Sequence, residues 1–169
     1  MNDITQQLLL FLIASGGISS GSAHYAMLLL ALEEQNAGKA VWSEEETSAF
    51  VHFLYKHRSH AGNRGNFKAA IFDAAAEAIS HLLEDGPEKT GEMCKSKWSR
   101  IKAIYTSIQK YRASGMHWGI VNGAGINGEA AERAWNSYIA QKSNRAMKPF
   151  RNTGWLYYGK VHAIHNSIS

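Results

Sequence analysis

A chain of 169 residues, 45% hydrophobic and 19% charged, is long enough for one domain with a proper core and a small appendage, and its composition is that of a globular rather than a disordered protein. Its net charge of +4 favours a polyanion as partner. The single cysteine, Cys94, excludes an intrachain disulfide and fits a reducing compartment. The charge is unevenly spread: Asp3, Glu33 and Glu34 against Lys39 leave residues 1–41 at −2 and the remainder at +6. After Glu132 the chain carries Arg133, Lys142, Arg145, Lys148, Arg151 and Lys160 and no further acid.

Leu8 to Ala14 is an apolar run of seven residues, far short of the ~20 that span a bilayer, so no membrane helix is expected there. The preceding MNDITQQ has no positive charge and carries Asp3, which argues against a secretory signal. After the break at Gly16-Gly17, Ala23 to Glu34 reads as a second helix and Asn36 to Ala40 as a linker. Two apolar helices joined by a Gly/Ser turn could cap the domain or pair with a second copy.

At Trp42 the texture changes. Ser43-Glu44-Glu45-Glu46 reads as a capping box, with Ser43 as N-cap, and three acids suit the positive end of the helix dipole. That helix runs through Phe50, Val51 and Leu54 and ends among Lys56, His57 and Arg58; Ala61 to Gly65 is a loop. From Asn66, a second candidate cap, Phe67, Ala70, Ile71, Ala74, Ala75, Ala78, Ile79 and Leu82 predict another helix, stopped by Gly86-Pro87.

Thr90 to Ser114 is the stretch the rest supports. Cys94, Trp98, Ile101, Tyr105 and Ile108 are spaced four, three, four and three apart, one stripe of a helix facing a core, with Thr90 as N-cap. Lys95, Ser96, Ser99, Arg100, Lys102 and Lys110 point away from the stripe. Six basic residues (Lys95, Lys97, Arg100, Lys102, Lys110, Arg112) stand against one acid, Glu92. A solvated charged face would explain the cations alone. Short polar side chains interleaved with them add the donors and acceptors that a groove-reading helix needs near base edges.

Gly123-Ala124-Gly125-Ile126-Asn127-Gly128 fits GxGxxG, but a dinucleotide site needs a βαβ unit and an acid ~20 residues on, and none follows Glu132. The sequence there reads as a flexible glycine loop before a helix from Glu129 to Lys142, with Ala130, Ala134, Trp135, Tyr138 and Ile139 apolar. Tyr138 and Lys142 show YxxxK spacing, but lie too near that loop for a reductase. Lys148 to Tyr158 then returns Phe150, Trp155, Leu156, Tyr157 and Tyr158 to the core. His57 with His60, and His162 with His165, are three apart, yet neither pair has a third ligand at useful spacing, so no metal is expected. Cys94 on the apolar stripe reads as a small hydrophobe, not a nucleophile. No catalytic ordering of side chains stands out, and neither an enzyme nor a cofactor is expected.

The ordered set Trp42-Ser43-Glu44-Glu45-Glu46, Asn66-Phe67, Cys94-Lys95-Ser96-Lys97-Trp98, Ser114-Gly115-Met116-His117-Trp118, Trp135-Asn136-Ser137-Tyr138 and Lys148-Pro149-Phe150-Arg151-Asn152-Thr153-Gly154-Trp155 resembles the fungal Myb/SANT-like DNA-binding domain, a relative of Myb repeats and plant trihelix domains. The likeness runs from Trp42 to Ile164. It implies an all-α fold, a three-helix, helix-turn-helix-like core with an additional C-terminal helix at 42–165; it omits residues 1–41, which their own apolar pattern marks as an N-terminal helical extension. It further implies that the third helix enters the major groove of double-stranded DNA, with Trp42 and Trp98 in a core tryptophan cluster. Lys95 stands where Myb repeats carry a base-contacting lysine, while Ser96 and Ser99 replace asparagines. Serine cannot make the bidentate contact to adenine that asparagine makes, so the sequence preference should be weaker or different. Lys95, Lys97, Arg100 and Lys102 would hold phosphates while Lys95, Ser96 and Ser99 face bases. The resemblance thus implies a nuclear, transcription-regulatory or transposon-derived DNA-binding protein. Chromatin or a transposase-like protein would be further partners; apart from the resemblance, the apolar helices of residues 1–41 could serve self-association, and no membrane partner is expected. The alternative is a SANT-type module that grips histones or chromatin adaptors.

Overall fold

The first helix begins as its sequence dictates. The Ser43 hydroxyl accepts from the Glu46 N–H (3.0 Å), and Glu46 Oε2 accepts from the Ser43 N–H (2.9 Å), so both halves of the capping box are made. In the computed structural model, which describes residues 40–167, α1 spans Glu44–Lys56, α2 Ala69–Ile79, α3 Gly91–Ala113, α4 Glu129–Ala140 and α5 Tyr158–His165. Among the described residues there is no strand, only isolated bridges at Gly62 with Asn66 and at Gly119 with Gly123. The architecture is all-α. No helix among the described residues is long and apolar enough to cross a membrane. The expected elements at Leu8 to Ala14, Gly16-Gly17 and Ala23 to Glu34 lie outside the described residues.

α3 is the axis of the domain. Its N-cap is Thr90, whose hydroxyl accepts from the Met93 N–H, and the stripe Cys94, Trp98, Ile101, Tyr105 and Ile108 is buried, extended by Tyr111. α1 and α2 pack together, and α2 lies along α3; Phe50, Val51, Leu54, Phe72, Ala75, Ile79 and the α3 stripe form one continuous core. The C-terminal half of α3 is covered by the 3₁₀ segment Lys142–Phe150 and by α5, which also packs on α1.

Several expectations need correction. α2 starts at Ala69 rather than at Asn66, and Lys68 in the cap position makes no side-chain cap bond. Its buried face is Phe72, Ala75, Ala76 and Ile79, whereas Ala70, Ala74 and Ala78 are exposed. Alanine is too small to set a register, and the ring of Phe72 decides it by meeting Phe67, which in turn meets Trp98 edge-on. The helix ends at Ile79 in a 3₁₀ turn, Ser80–Leu82, well before Gly86-Pro87. α4 stops at Ala140, with Trp135 buried but Ala130 and Ala134 exposed. Leu156, expected to return to the core, is 79% exposed, while Phe150, Trp155 and Tyr158 do return.

The glycine loop is stitched down. Gly123 has φ +58° and is buried, and an added Cβ would lie 2.2 Å from the Phe150 carbonyl oxygen, so only glycine fits. The Ala124 N–H donates to Phe150 O (2.8 Å), and the Gly154 N–H to Val121 O (2.8 Å). The sequence pattern that imitates a phosphate loop thus lets one backbone segment press against another.

Candidate nucleic-acid interface

The first three turns of α3 carry four exposed neutral polar or cationic side chains, Lys95, Ser96, Ser99 and Arg100. A helix period of 3.6 carries Ser96, Ser99 and Arg100 opposite the buried stripe, and all three are exposed. Among the described residues none of their side chains has a hydrogen-bond or ion-pair partner. Further along the same helix the hydroxyls of Thr106 and Ser107 donate to the carbonyls of Lys102 and Ala103, both at 2.9 Å. Donor capacity is therefore spent internally beyond Lys102 and left open at Ser96 and Ser99.

The lysines are placed differently from one another. Lys95 is exposed and 3.1 Å from Glu92, a surface pair worth about 0–1 kcal/mol that a phosphate can displace. Lys97 sits on the flank, half-buried, its ammonium 5.1 Å from the centre of the Trp42 ring. Burial, then the neighbouring Arg100 charge, holds its pKa below the usual lysine value. Lys102 is also half-buried, with its pKa lowered by burial, and donates to Asn66 Oδ1 at 2.6 Å. Each ammonium keeps donors free, but neither swings freely. Lys110 donates to Asn144 Oδ1 (2.7 Å) and Arg112 to the Tyr158 hydroxyl, so the cations at the far end of α3 are engaged within the domain.

Two tryptophans brace this face. Trp98 is 2% exposed, its indole N–H donating to Gly65 O at 2.8 Å. Trp42 is only half-buried; it leans on Phe50 at 5.4 Å and has Lys97 and Lys89 above it. Beneath lies an ion pair that sequence reasoning missed. Lys89 Nζ is 2.7 Å from Glu46 Oε1, and the two side chains are 2% and 3% exposed. Lys89 immediately precedes the α3 N-cap, so the pair fixes where the helix starts relative to α1. Its signal in the sequence is faint, because the partners are far apart in the chain.

The histidine pairs are drawn into packing. His57 stacks on Phe53, with Nδ1 hydrogen-bonded to the Phe53 carbonyl. His162 Nδ1 and the Tyr105 hydroxyl share a hydrogen bond of 2.8 Å. Among the described residues no three metal-ligating side chains come together. Cys94 is fully buried, and that burial pushes its thiol up to about 11 from 9.0, which suits packing and not nucleophilic attack.

No curated protein and no solved structure matches this chain. The three helices that present the exposed face of α3 do match a family: residues 39–122, from just before Trp42 to just after Trp118, fit the model described as the Myb/SANT-like DNA-binding domain, and it is to that family that this stretch is similar.

Proposed function

We propose that this protein binds double-stranded DNA through α3, with Lys95, Lys97, Arg100 and Lys102 against phosphates and Lys95, Ser96 and Ser99 towards base edges. One observation carries the reading. The first three turns of α3 leave Ser96, Ser99 and Arg100 exposed and without partners among the described residues, on a helix held rigid by the buried Trp98. Free donors beside cations suit both tasks of a groove-reading helix, positioning on phosphates and reading bases. The family match supports the same class of partner. A nuclear location, a transcription-regulatory or transposon-derived role, the domain division at residue 42 and self-association through residues 1–41 belong to this reading.

Selection of duplexes from a random pool tests it. Arg100→Ala should weaken retention of all sequences alike, whereas Ser96→Ala should change the preferred site. Identical site profiles for the two variants, or no retained duplex at all, would reject the assignment.

A second reading, a protein-interaction module, draws on Leu156, 79% exposed beside Tyr157, Glu44 and Glu45. Partners retained after nuclease treatment, together with no duplex binding, would favour it.

A further inference from the structure

Between Glu46 and Asp73 the chain has no acid, yet it carries Lys56, Arg58, Arg64 and Lys68. Arg58 is turned back on its own helix: its guanidinium donates to Tyr55 O (3.0 Å) and lies 4.5 Å from the Tyr55 ring centre. Arg64 is different. It is exposed and has no hydrogen bond or ion pair among the described residues. It is also the one described non-glycine residue with positive φ, at φ 58°, ψ 33°. An L-residue in the left-handed region costs free energy that glycine or asparagine would largely avoid. Strain of this kind persists where the surroundings over-determine it, and it concentrates at functional sites.

The surroundings here are explicit. The Gly62 N–H donates to Asn66 O (2.7 Å), the Gly65 N–H to Gly62 O (3.1 Å), and the Asn66 amide to Asn63 O (2.9 Å), which closes the turn on itself. Two bonds fasten it to α3, from the Trp98 indole to Gly65 O and from the Lys102 ammonium to Asn66 Oδ1. Gly65, also at positive φ, lies against Trp98 and Ile164, where an added Cβ would come within 3.2 Å of the Ile164 side chain. The turn is therefore a rigid bracket on the edge of α3 that carries Lys102, and at its tip it holds one uncommitted guanidinium.

We propose that the Gly62–Asn66 turn is a second nucleic-acid contact, in which the Arg64 guanidinium grips a backbone phosphate flanking the groove that α3 occupies. The assignment rests on the duplex-binding reading and adds to it. A planar guanidinium matches phosphate with paired N–H donors. A turn already fixed to the reading helix loses little further freedom on binding. A phosphate contact carries no base information, so Arg64 strengthens binding to every sequence equally and sets the position of α3 along the groove.

The test uses the full chain and a fluorescein-labelled duplex of random sequence, with anisotropy followed across a salt series for wild type, Arg64→Gly and Arg100→Ala. Arg64→Gly removes the guanidinium while relieving the backbone, so its melting temperature should equal or exceed that of wild type. Its affinity should fall several-fold at low salt, and the slope of log affinity against log salt should shrink by about 1. An Arg64→Gly protein with the wild-type slope, alongside a weakened Arg100→Ala, would overturn this inference and leave the α3 reading standing. Absence of duplex binding by wild type would overturn both.

Discussion

Replacing Glu46 by alanine removes, in one step, the ion-pair partner of Lys89 at the foot of α3 and half of the capping box of α1. Its Oε1 is 2.7 Å from Lys89 Nζ with both side chains almost wholly buried, and its Oε2 accepts the Ser43 N–H in the capping box. Breaking a buried pair by deleting one partner costs about 3–5 kcal/mol, because the other charge is left uncompensated. Loss of the reciprocal cap adds about 1 kcal/mol. A total of about 4–6 kcal/mol is a large part of the 5–15 kcal/mol that holds a typical domain together. Glu46→Gln separates the contributions, since it discards the charge and keeps an acceptor for Ser43; about 3 kcal/mol is expected. Lys89→Met should cost a similar amount, because Glu46 Oε1 has no hydrogen-bond partner to fall back on among the described residues. In the double variant Glu46→Gln/Lys89→Met no charge is stranded, and the loss should be at least about 2 kcal/mol smaller than the sum of the singles. Urea unfolding followed by circular dichroism and tryptophan fluorescence provides all four stabilities. Single variants within about 1 kcal/mol of wild type, or a coupling energy near zero, would refute the argument.

Alkaline stability should report Cys94. With its thiol raised from 9.0 to about 11 by burial, the folded state keeps a proton that the unfolded chain releases. The stability is therefore present in full below about pH 9 and falls as pH rises through 9 to 11, by roughly 2–3 kcal/mol. Cys94→Ala should lack that component, and equal losses in the two proteins between pH 8.5 and 11 would contradict it. Gly154→Ala would set a Cβ 1.6 Å from Ile120 O, in the backbone layer that closes the glycine loop. A loss of about 3 kcal/mol is expected in thermal or urea unfolding, and an unchanged midpoint would show that the two segments do not press together as described.

The parts of the fold that were legible in the sequence are those fixed by local chemistry. Ser43 and Glu46 cap α1 through groups three residues apart, and the stripe from Cys94 to Ile108 fixes the facing of α3 because large side chains occupy every position after Cys94. α2 was legible as a helix but not in its register, since a run of alanines fits two faces and the choice rests on Phe72 meeting Phe67. α5 was hidden: Tyr158, Val161 and Ile164 make too short a pattern, interrupted by Gly159, and it forms because α1 and α3 offer a surface to cover. Within the candidate interface, the helical period alone reveals that Ser96, Ser99 and Arg100 share a face. That Lys102 is held by Asn66 and Lys97 by Trp42 depends on tertiary neighbours that no spacing encodes. The acid-free window between Glu46 and Asp73 was visible, but its meaning depends on the left-handed backbone at Arg64, which follows from the clamps around it.

The central claim, that the cationic side of α3 lies along a nucleic acid, is tested most directly by duplex affinity measured against salt concentration. With about five phosphates neutralised, log affinity should fall against log salt with a slope near −4 to −5. Duplex binding that is absent, or that stays constant across the salt series, would contradict it.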